Sequence, residues 1–202
     1  NWERYGNKQL ELLDAPFLAW HLSGGTTELL YVRPEGYNVA AEAIGGTSDI
    51  SAGQLIDRTG VLLGLPFPAG KALDALARES GEGEGFPVKV KDLTFSLSGM
   101  ENQVKSMAER GEAPAAIARF ALETVVQTVR RVTEQAQRRY PGLPVLCSGG
   151  VASNTRLRQV LTGCCQGIFA QPEYSADNAM GPAILAWRFL AHGRADTGCG
   201  FS

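Results

Sequence analysis

Two apolar runs in this chain stop at a Gly-Gly pair, and the chain leaves the two pairs in different ways. In "HLSGGTTELLYV" (21–32) the apolar pattern resumes at once, as an alternation that suits a second strand. In "LPVLCSGGVASNTRLRQVL" (143–161) the pair leads into a helical pattern instead. Adjacent glycines free the backbone for conformations that a side chain forbids. The first loop therefore reads either as a plain hairpin turn or as a hairpin whose turn touches an anion. The second reads as a strand-to-helix turn, plain or ligand-bearing.

The pattern around these loops sets the organisation. "APFLAWHL", "TELLYVR" and "YNVAAEAI" predict a three-stranded meander. "GGTSDISAG" is a further Gly-rich loop, in which Ser51 is placed to cap a helix over "AGQLIDRTGVLLGL". Leu55, Val61, Leu62 and Leu65 are expected to form its inward stripe, with Pro66 and Pro68 ending it. "AGKALDALARES" predicts a second helix, "GEGEGFPVKV" a polar loop, and "SLSGMENQVKSMAER" a third helix. The longest helical pattern runs from Ala113 to about Tyr140, with Ile117, Phe120, Val125 and Val129 facing inward. The order β–turn–α–β–turn–α comes next, through "LPVLCSGG", "SNTRLRQVL", "GIFAQP" and "SADNAMGPAILAWRFLAHG". That is the unit of a parallel sheet with ligand loops at its strand ends.

Composition excludes several classes. A formal net charge of −2 over 202 residues is not that of a general nucleic-acid binder, so nucleic-acid contact has to come from a local patch. Arg130, Arg131, Arg138 and Arg139 make a basic end to the long helix, which suits RNA phosphates or simply a solvated helix C-terminus. No run of ~18 apolar residues predicts a membrane span. The opening "NWERYGNKQLELLDAP" lacks the apolar core of a secretory signal. Cys147, Cys164, Cys165 and Cys199 include no C-x-x-C pair, which argues against a zinc site and predicts free thiols in a reducing cytoplasm. The 24 glycines, against a usual ~7% of residues, point to tight turns and close approaches.

Four small-residue loops stand at strand ends or helix starts: Ser23-Gly24-Gly25-Thr26, Pro68-Ala69-Gly70, Ser148-Gly149-Gly150 and Ser175-Ala176-Asp177-Asn178. A helix N-terminus presents unpaired N–H groups and a partial positive charge, and glycine lets phosphate or a nucleobase approach them. A hairpin Gly-Gly loop followed by strand–Gly-Gly–helix resembles the actin-like ATPase fold, an α/β architecture of the ASKHA, ribonuclease H-like type. Five blocks then occur in family order: "HLSGGTTELLYV", "AGQLIDRTGVLLGLPFPAGKALDAL", "FSLSGMENQV", "CSGGVASNTRLRQVL" and "SADNAMGPAILAW". They resemble the second lobe of the tRNA threonylcarbamoyladenosine synthases, also called O-sialoglycoprotein endopeptidases or glycoproteases.

The resemblance implies threonylcarbamoyl transfer, from an adenylate, to N6 of a tRNA adenosine. It also implies a divalent metal (iron or zinc), an adenine nucleotide and partner subunits of a tRNA-modification complex, acting in the cytoplasm. By motif, the nucleotide loop falls on His21, Leu22, Ser23, Gly24 and Gly25. The helix carboxylate that meets ligand hydroxyls falls on Asp57, the next turn's glycine on Gly70, and an acidic position on Asp74. Gly149 and Gly150 would let a nucleobase lie against the backbone, and Asn154 closes that block. The metal-ligand aspartate falls on Asp177. Read from the residues alone, Asp57 equally suits a solvated helix carboxylate, and Asn154 and Asp177 equally suit helix caps.

The chain also departs from the pattern. The family's H-x-x-x-H helix belongs to a first lobe, and only His21 and His192 occur here. Residues 1–202 are therefore expected to be the C-terminal lobe alone, and one aspartate is not a metal site. Thr26 stands where a His is usual, Gln54 where a Glu is typical, and Glu101 where the family has Lys. Pro182 is expected to kink the last helix or shift its start. These departures mark a divergent paralogue. The competing expectation is a non-catalytic nucleotide-binding or scaffolding module of a tRNA-modification complex.

Overall fold

In the computed structural model, which describes residues 11–36, 38–81, 83, 85–170 and 180–193, the central strand is β1 (Phe17–Leu22). It pairs antiparallel with β2 (Thr27–Glu35), which pairs antiparallel with β3 (Asn38–Thr47). On its other side β1 runs parallel to β6 (Val145–Ser148), and β6 runs parallel to β7 (Gly167–Phe169). Two short strands complete the sheet, β4 (Val90–Lys91) and β5 (Thr94–Phe95), with β5 parallel to β3. Among the described residues the seven-strand order is β4-β5-β3-β2-β1-β6-β7. The three-stranded meander and the later parallel unit are thus two parts of one sheet, joined where β1 meets β6.

Six α-helices accompany it among the described residues: α1 (Ala52–Leu62), α2 (Gly70–Arg78), α3 (Ser98–Glu109), α4 (Pro114–Arg139), α5 (Thr155–Cys165) and α6 (Met180–Gly193). Helix α4 is the axle of the packing, since α1, α2, α3 and α5 all touch it. Strand alternation explains why β1 lies against it. Leu18, Trp20 and Leu22 share one face, are fully buried, and cluster with Val125, Val129, Val132 and Ala136 of α4. The Trp20 indole N–H donates to the Thr133 hydroxyl at 2.9 Å, joining the middle of β1 to α4 inside the core. Tyr31 of β2 stacks on Tyr140 just past the helix end, with ring centroids 5.1 Å apart.

Local chemistry sets the helix ends. Ser51 and Gln54 form a reciprocal capping box at the start of α1, so Gln54 does there what a Glu at this position would do. Pro114 occupies the first turn of α4, where its missing N–H costs no helical bond. Pro182 is the third residue of the described span of α6, Met180–Gly193.

Two expectations need correction. Val61 and Leu62 are 61% and 44% exposed, not inward. Helix α1 buries Leu55, Ile56 and Thr59; at about 100° per residue Val61 falls on the opposite side, while Leu62 returns to the Leu55 side but as the last residue of the helix is left only part-covered. The "polar loop" 81–90 leads into β4, whose Val90 packs against the core.

The Trp20–Thr133 bond yields a stability prediction. Thr133→Val keeps the shape but strands a buried indole N–H, and should cost about 1–3 kcal/mol in urea unfolding.

Candidate functional site

Strands β1, β3, β5 and β6 all run the same way, so their C-terminal ends share one edge of the sheet. The loops leaving them, 23–26, 48–51, 96–97 and 149–154, gather there. The N-termini of α1, α3 and α5 come directly after three of these loops. Ligands of open α/β sheets bind at this edge, where helix N-termini contribute partial positive charge.

The two Gly-Gly loops are neighbours because His21 of β1 pairs with Ser148 of β6. Gly149 has φ +94°, and a Cβ there would sit 2.2 Å from the Leu22 carbonyl oxygen, so only glycine fits. The hairpin is pressed against α1 in the same way. A Cβ on Gly53 would lie 2.4 Å from the Ser23 carbonyl oxygen. The Ser51 hydroxyl donates to the Gly24 carbonyl at 2.6 Å, and the Ser23 hydroxyl accepts from the Thr26 N–H at 3.0 Å. Thr27 accepts from the Ala52 N–H at 2.8 Å. By contrast, Gly24, Gly25, Gly70 and Gly150 look onto open space, with nothing within 4 Å of an added Cβ. Leu22 is a core side chain, and only its backbone reaches this edge. His21 is half-buried at the end of β1, opposite Glu28.

Three polar side chains extend the arrangement. Asp57 accepts from the Ala69 N–H at 2.8 Å, tying α1 to the start of α2 beside Gly70. One turn along α2, Asp74 accepts from the Asn154 amide at 2.8 Å and pairs with Arg78. Asn154 meanwhile caps α5, its oxygen accepting from the Leu157 N–H at 2.9 Å. The candidate residues therefore form a closed circuit of contacts. It runs from Leu22 to Gly149, through Gly150 to Asn154, across to Asp74, back through Gly70 and Asp57 to Gly53, and so to Ser23 and Gly24. The open glycines lie on this circuit. Asn154 is occupied as a cap, and both Asp74 oxygens are occupied by protein partners. Asp57 has one carboxylate oxygen without a hydrogen bond among the described residues.

Several residues outside the motifs hold this edge. Asp49 accepts from the backbone N–H groups of Ile50, Leu97 and Ser98 and from the Ser96 hydroxyl, fastening the β3–α1 loop to the start of α3. Burial alone would raise its carboxyl, but these bonds prevail and hold it far below the ordinary range. Its clue in the sequence is a lone aspartate between Gly45-Gly46 and the Ser51 cap. Between α4 and α5 the Glu123 carboxylate, 3% exposed, takes a paired contact from Arg156 at 3.1 and 3.2 Å. Burial opposes its ionisation, and the Arg156 and Gln127 donors keep it below its usual value. Glu101, the charge reversal, receives Lys105 and Arg58 at 2.8 and 2.6 Å, and both hold it below its usual value. Of the basic cluster, Arg130 pairs with Glu134, and Arg131 donates to the Val88 carbonyl. Burial pushes the Cys147 thiol in β6 up to about 12, which leaves no ready thiolate beside the second Gly-Gly loop.

Asp177 and its loop, Ser175 to Asn178, lie outside the described residues. The described residues of this edge do not by themselves assemble a metal site. The group of three or more His, Cys, Asp or Glu ligands found close together among them is Glu134, Cys164 and Cys165, between α4 and the far end of α5. Also among the described residues, no helix is long and apolar enough to cross a membrane.

The model of the family described as tRNA N6-adenosine threonylcarbamoyltransferase matches residues 4–184. A protein of that name from Enterococcus faecalis is 36% identical over 166 residues, covering 78% of this chain and 47% of the relative. One from Thermus thermophilus is 33% identical over 182 residues, covering 88% and 55%. The chain thus spans about half the length of the curated relatives it matches. Among solved structures, full-length HypF in its phosphate- and nucleotide-bound form superposes with a TM-score of 0.71 at 15% identity, covering 94% of this chain and 41% of that one. The ADPNP-bound activator of 2-hydroxyisocaproyl-CoA dehydratase from Clostridium difficile gives 0.54 at 14% identity, covering 94% and 65%. These likenesses bear on the fold, which is the α/β actin-like ATPase fold.

The geometry sets two outcomes. Gly149→Ala should destabilise the chain by several degrees or prevent folding, while Gly150→Ala should leave the thermal midpoint nearly unchanged. Asp49 contributes stability when ionised, because its folded carboxyl lies below its unfolded value. Asp49→Asn should therefore be less stable than the parent above about pH 5. The gap in urea midpoints should close as pH falls below about 4, where the unfolded carboxyl takes up its proton.

Proposed function

This chain belongs to the tRNA N6-adenosine threonylcarbamoyltransferase family, and from that membership we propose that it is the lobe that cradles the adenosine and phosphate of threonylcarbamoyl adenylate during transfer to a tRNA adenosine. The observation that supports this most is the closed circuit around the open glycines. Its backbone is held from outside by Ser51, Gly53 and Gly149, while Gly24, Gly25, Gly70 and Gly150 leave their inner side bare.

The roles come from that placement. The Ser23–Gly25 turn offers small groups and bare backbone to phosphate, while the Ala52 and Gln54 N–H groups at the start of α1 are taken by Thr27 and Ser51 and hold the turn in place. Gly149 and Gly150 offer flat backbone to the base. Asp57 presents its remaining oxygen to ligand hydroxyls while its other oxygen braces Ala69. Asp74 acts through Asn154, holding the start of α5 against α2. Catalysis in this reading is mainly positioning, with the adenylate fixed for attack by the N6 amine of the acceptor base. His21 stands beside the loop at the strand end.

Asp177 is proposed as the anionic ligand that this lobe offers to the iron or zinc of a complete site. One oxygen donor is short of such a site, so no step is derived through the ion. A tRNA acceptor and partner subunits belong to the same proposal.

The test has two arms. Photolabelling of the chain with an azidoadenine nucleotide should mark peptides carrying residues 21–26 and 149–154, and Asp57→Ala should weaken the labelling at least about tenfold. Labelling elsewhere, or unchanged by Asp57→Ala, would remove the nucleotide assignment. The chain is then fused to the portion of the Thermus thermophilus relative that it does not cover. Transfer of labelled threonylcarbamoyl to unmodified tRNA supports the acyltransferase. Nucleotide labelling without transfer supports the scaffolding module instead.

A further inference from the structure

Helix α5 begins at the candidate site and ends about 16 Å away, at its eleventh residue, in a second cluster of reactive side chains. Cys164 and Cys165 close the helix with their sulfurs 3.0 Å apart. Across the interface, α4 supplies Glu134, and the three ligand atoms all lie within 4.8 Å of one another. We propose that Glu134, Cys164 and Cys165 form a binding site for a thiophilic divalent cation of the zinc or cadmium class, separate from the nucleotide edge.

The donor set fits that chemistry. Two sulfurs and one carboxylate oxygen are ligands zinc takes at about 2.3 and 2.0–2.2 Å, and a fourth position is left for water or an outside donor. Soft sulfur donors favour these ions over magnesium or calcium, which take oxygen. Sulfurs 3.0 Å apart subtend about 80° at an ion about 2.3 Å from each, so the exposed Cys164 side chain has to swing outward for the pair to approach tetrahedral geometry. The site is also supported from behind. Gln137 of α4 donates to the Cys165 carbonyl at 2.9 Å, fixing the helix end that carries both thiols. Arg130 holds Glu134 from one side at 3.1 Å without burying it. Entry is open, because Cys164 is exposed and a shallow hollow of about 330 Å³ is lined by Glu134, Gln137 and Arg138. Cys165 is buried, and burial pushes its thiol well above the usual range. Binding therefore proceeds by displacement of thiol protons, a step the entering cation itself drives. Sequence spacing hides the site, since C-C is no metal signature and Glu134 lies thirty positions upstream.

The experiment uses the reduced 202-residue chain carrying Cys199→Ser, so that this thiol does not contribute. Cobalt(II) titration should give a sulfur-to-metal charge-transfer band saturating at one ion per chain. Zinc should abolish that band, and magnesium should not. Cys164→Ser should lower the intensity of the band per ion and weaken binding, and Glu134→Gln should weaken binding at least about tenfold, by loss of a direct ligand. Both positions lie at the surface side of the interface, and unchanged circular dichroism would show that the variants fold. Asp177→Asn should leave the affinity unaltered. Absence of a charge-transfer band, or a band and affinity unchanged by Cys164→Ser, would overturn the site. So would binding that ignores Glu134→Gln or is lost with Asp177→Asn.

Discussion

The approach of Gly149 to the Leu22 carbonyl is the contact on which the arrangement of the site depends. Parallel pairing of β1 with β6 brings two strand ends side by side, although 128 residues separate Trp20 from Ser148. The absent side chain at Gly149 lets the second loop turn against the first. The Ser148 hydroxyl reinforces the junction by donating to the Trp20 carbonyl at 3.1 Å. From this junction the first loop leans on α1 and the second leads into α5. Everything else at the edge keeps those two helices at the spacing the junction dictates.

That spacing is kept by side chains that bridge elements. Asp57, Asp74 and Asn154 each join an element to the next, and Asp49 does the same for the β3–α1 loop and α3. A carboxylate accepting backbone N–H groups at a helix start satisfies donors that would otherwise be unpaired, and each such bond is stronger for being charge-assisted. Residues proposed to meet a ligand and residues that brace the loops are therefore partly the same. A substitution at Asp57 or Asp74 changes both contacts and geometry. Separating the two effects needs double-mutant cycles with Ala69-facing or Asn154-facing changes.

Much of the fold was legible because it rests on local signals. Strand alternation located β1 to β3, the Ser51 cap and Pro114 marked helix starts, and apolar spacing located α4. The exposed Val61 and Leu62 were misread because hydrophobicity alone does not say where a helix turns away from the core. Strands β4 and β5 were missed because two-residue strands carry no periodicity. At the site, glycine pairs and their flanks marked the loops. The sequence does not distinguish Gly149, which has a Cβ-sized obstruction, from Gly150, which has none. That difference is tertiary, set by a strand more than a hundred residues away. The partners of Asp74 and Glu101 were hidden for the same reason, since Asn154 and Arg58 reach them only through the fold.

The strands that end the sheet have a further consequence. Among the described residues one rim is β7, with three residues, and the other is β4, with two, but β5 pairs with β3 only at Gly46 and Thr47, so residues 38–45 of β3 have no strand partner on that side. A rim strand carries unpaired N–H and C=O groups and can recruit a strand from another molecule. The brief β7 presents too few such groups, in too short a row, to template that addition, whereas the outer side of β3 presents a longer row. The same topology that concentrates the loops at one end thus guards the β7 flank against edge-to-edge aggregation and leaves the outer side of β3 as the flank where another strand could add.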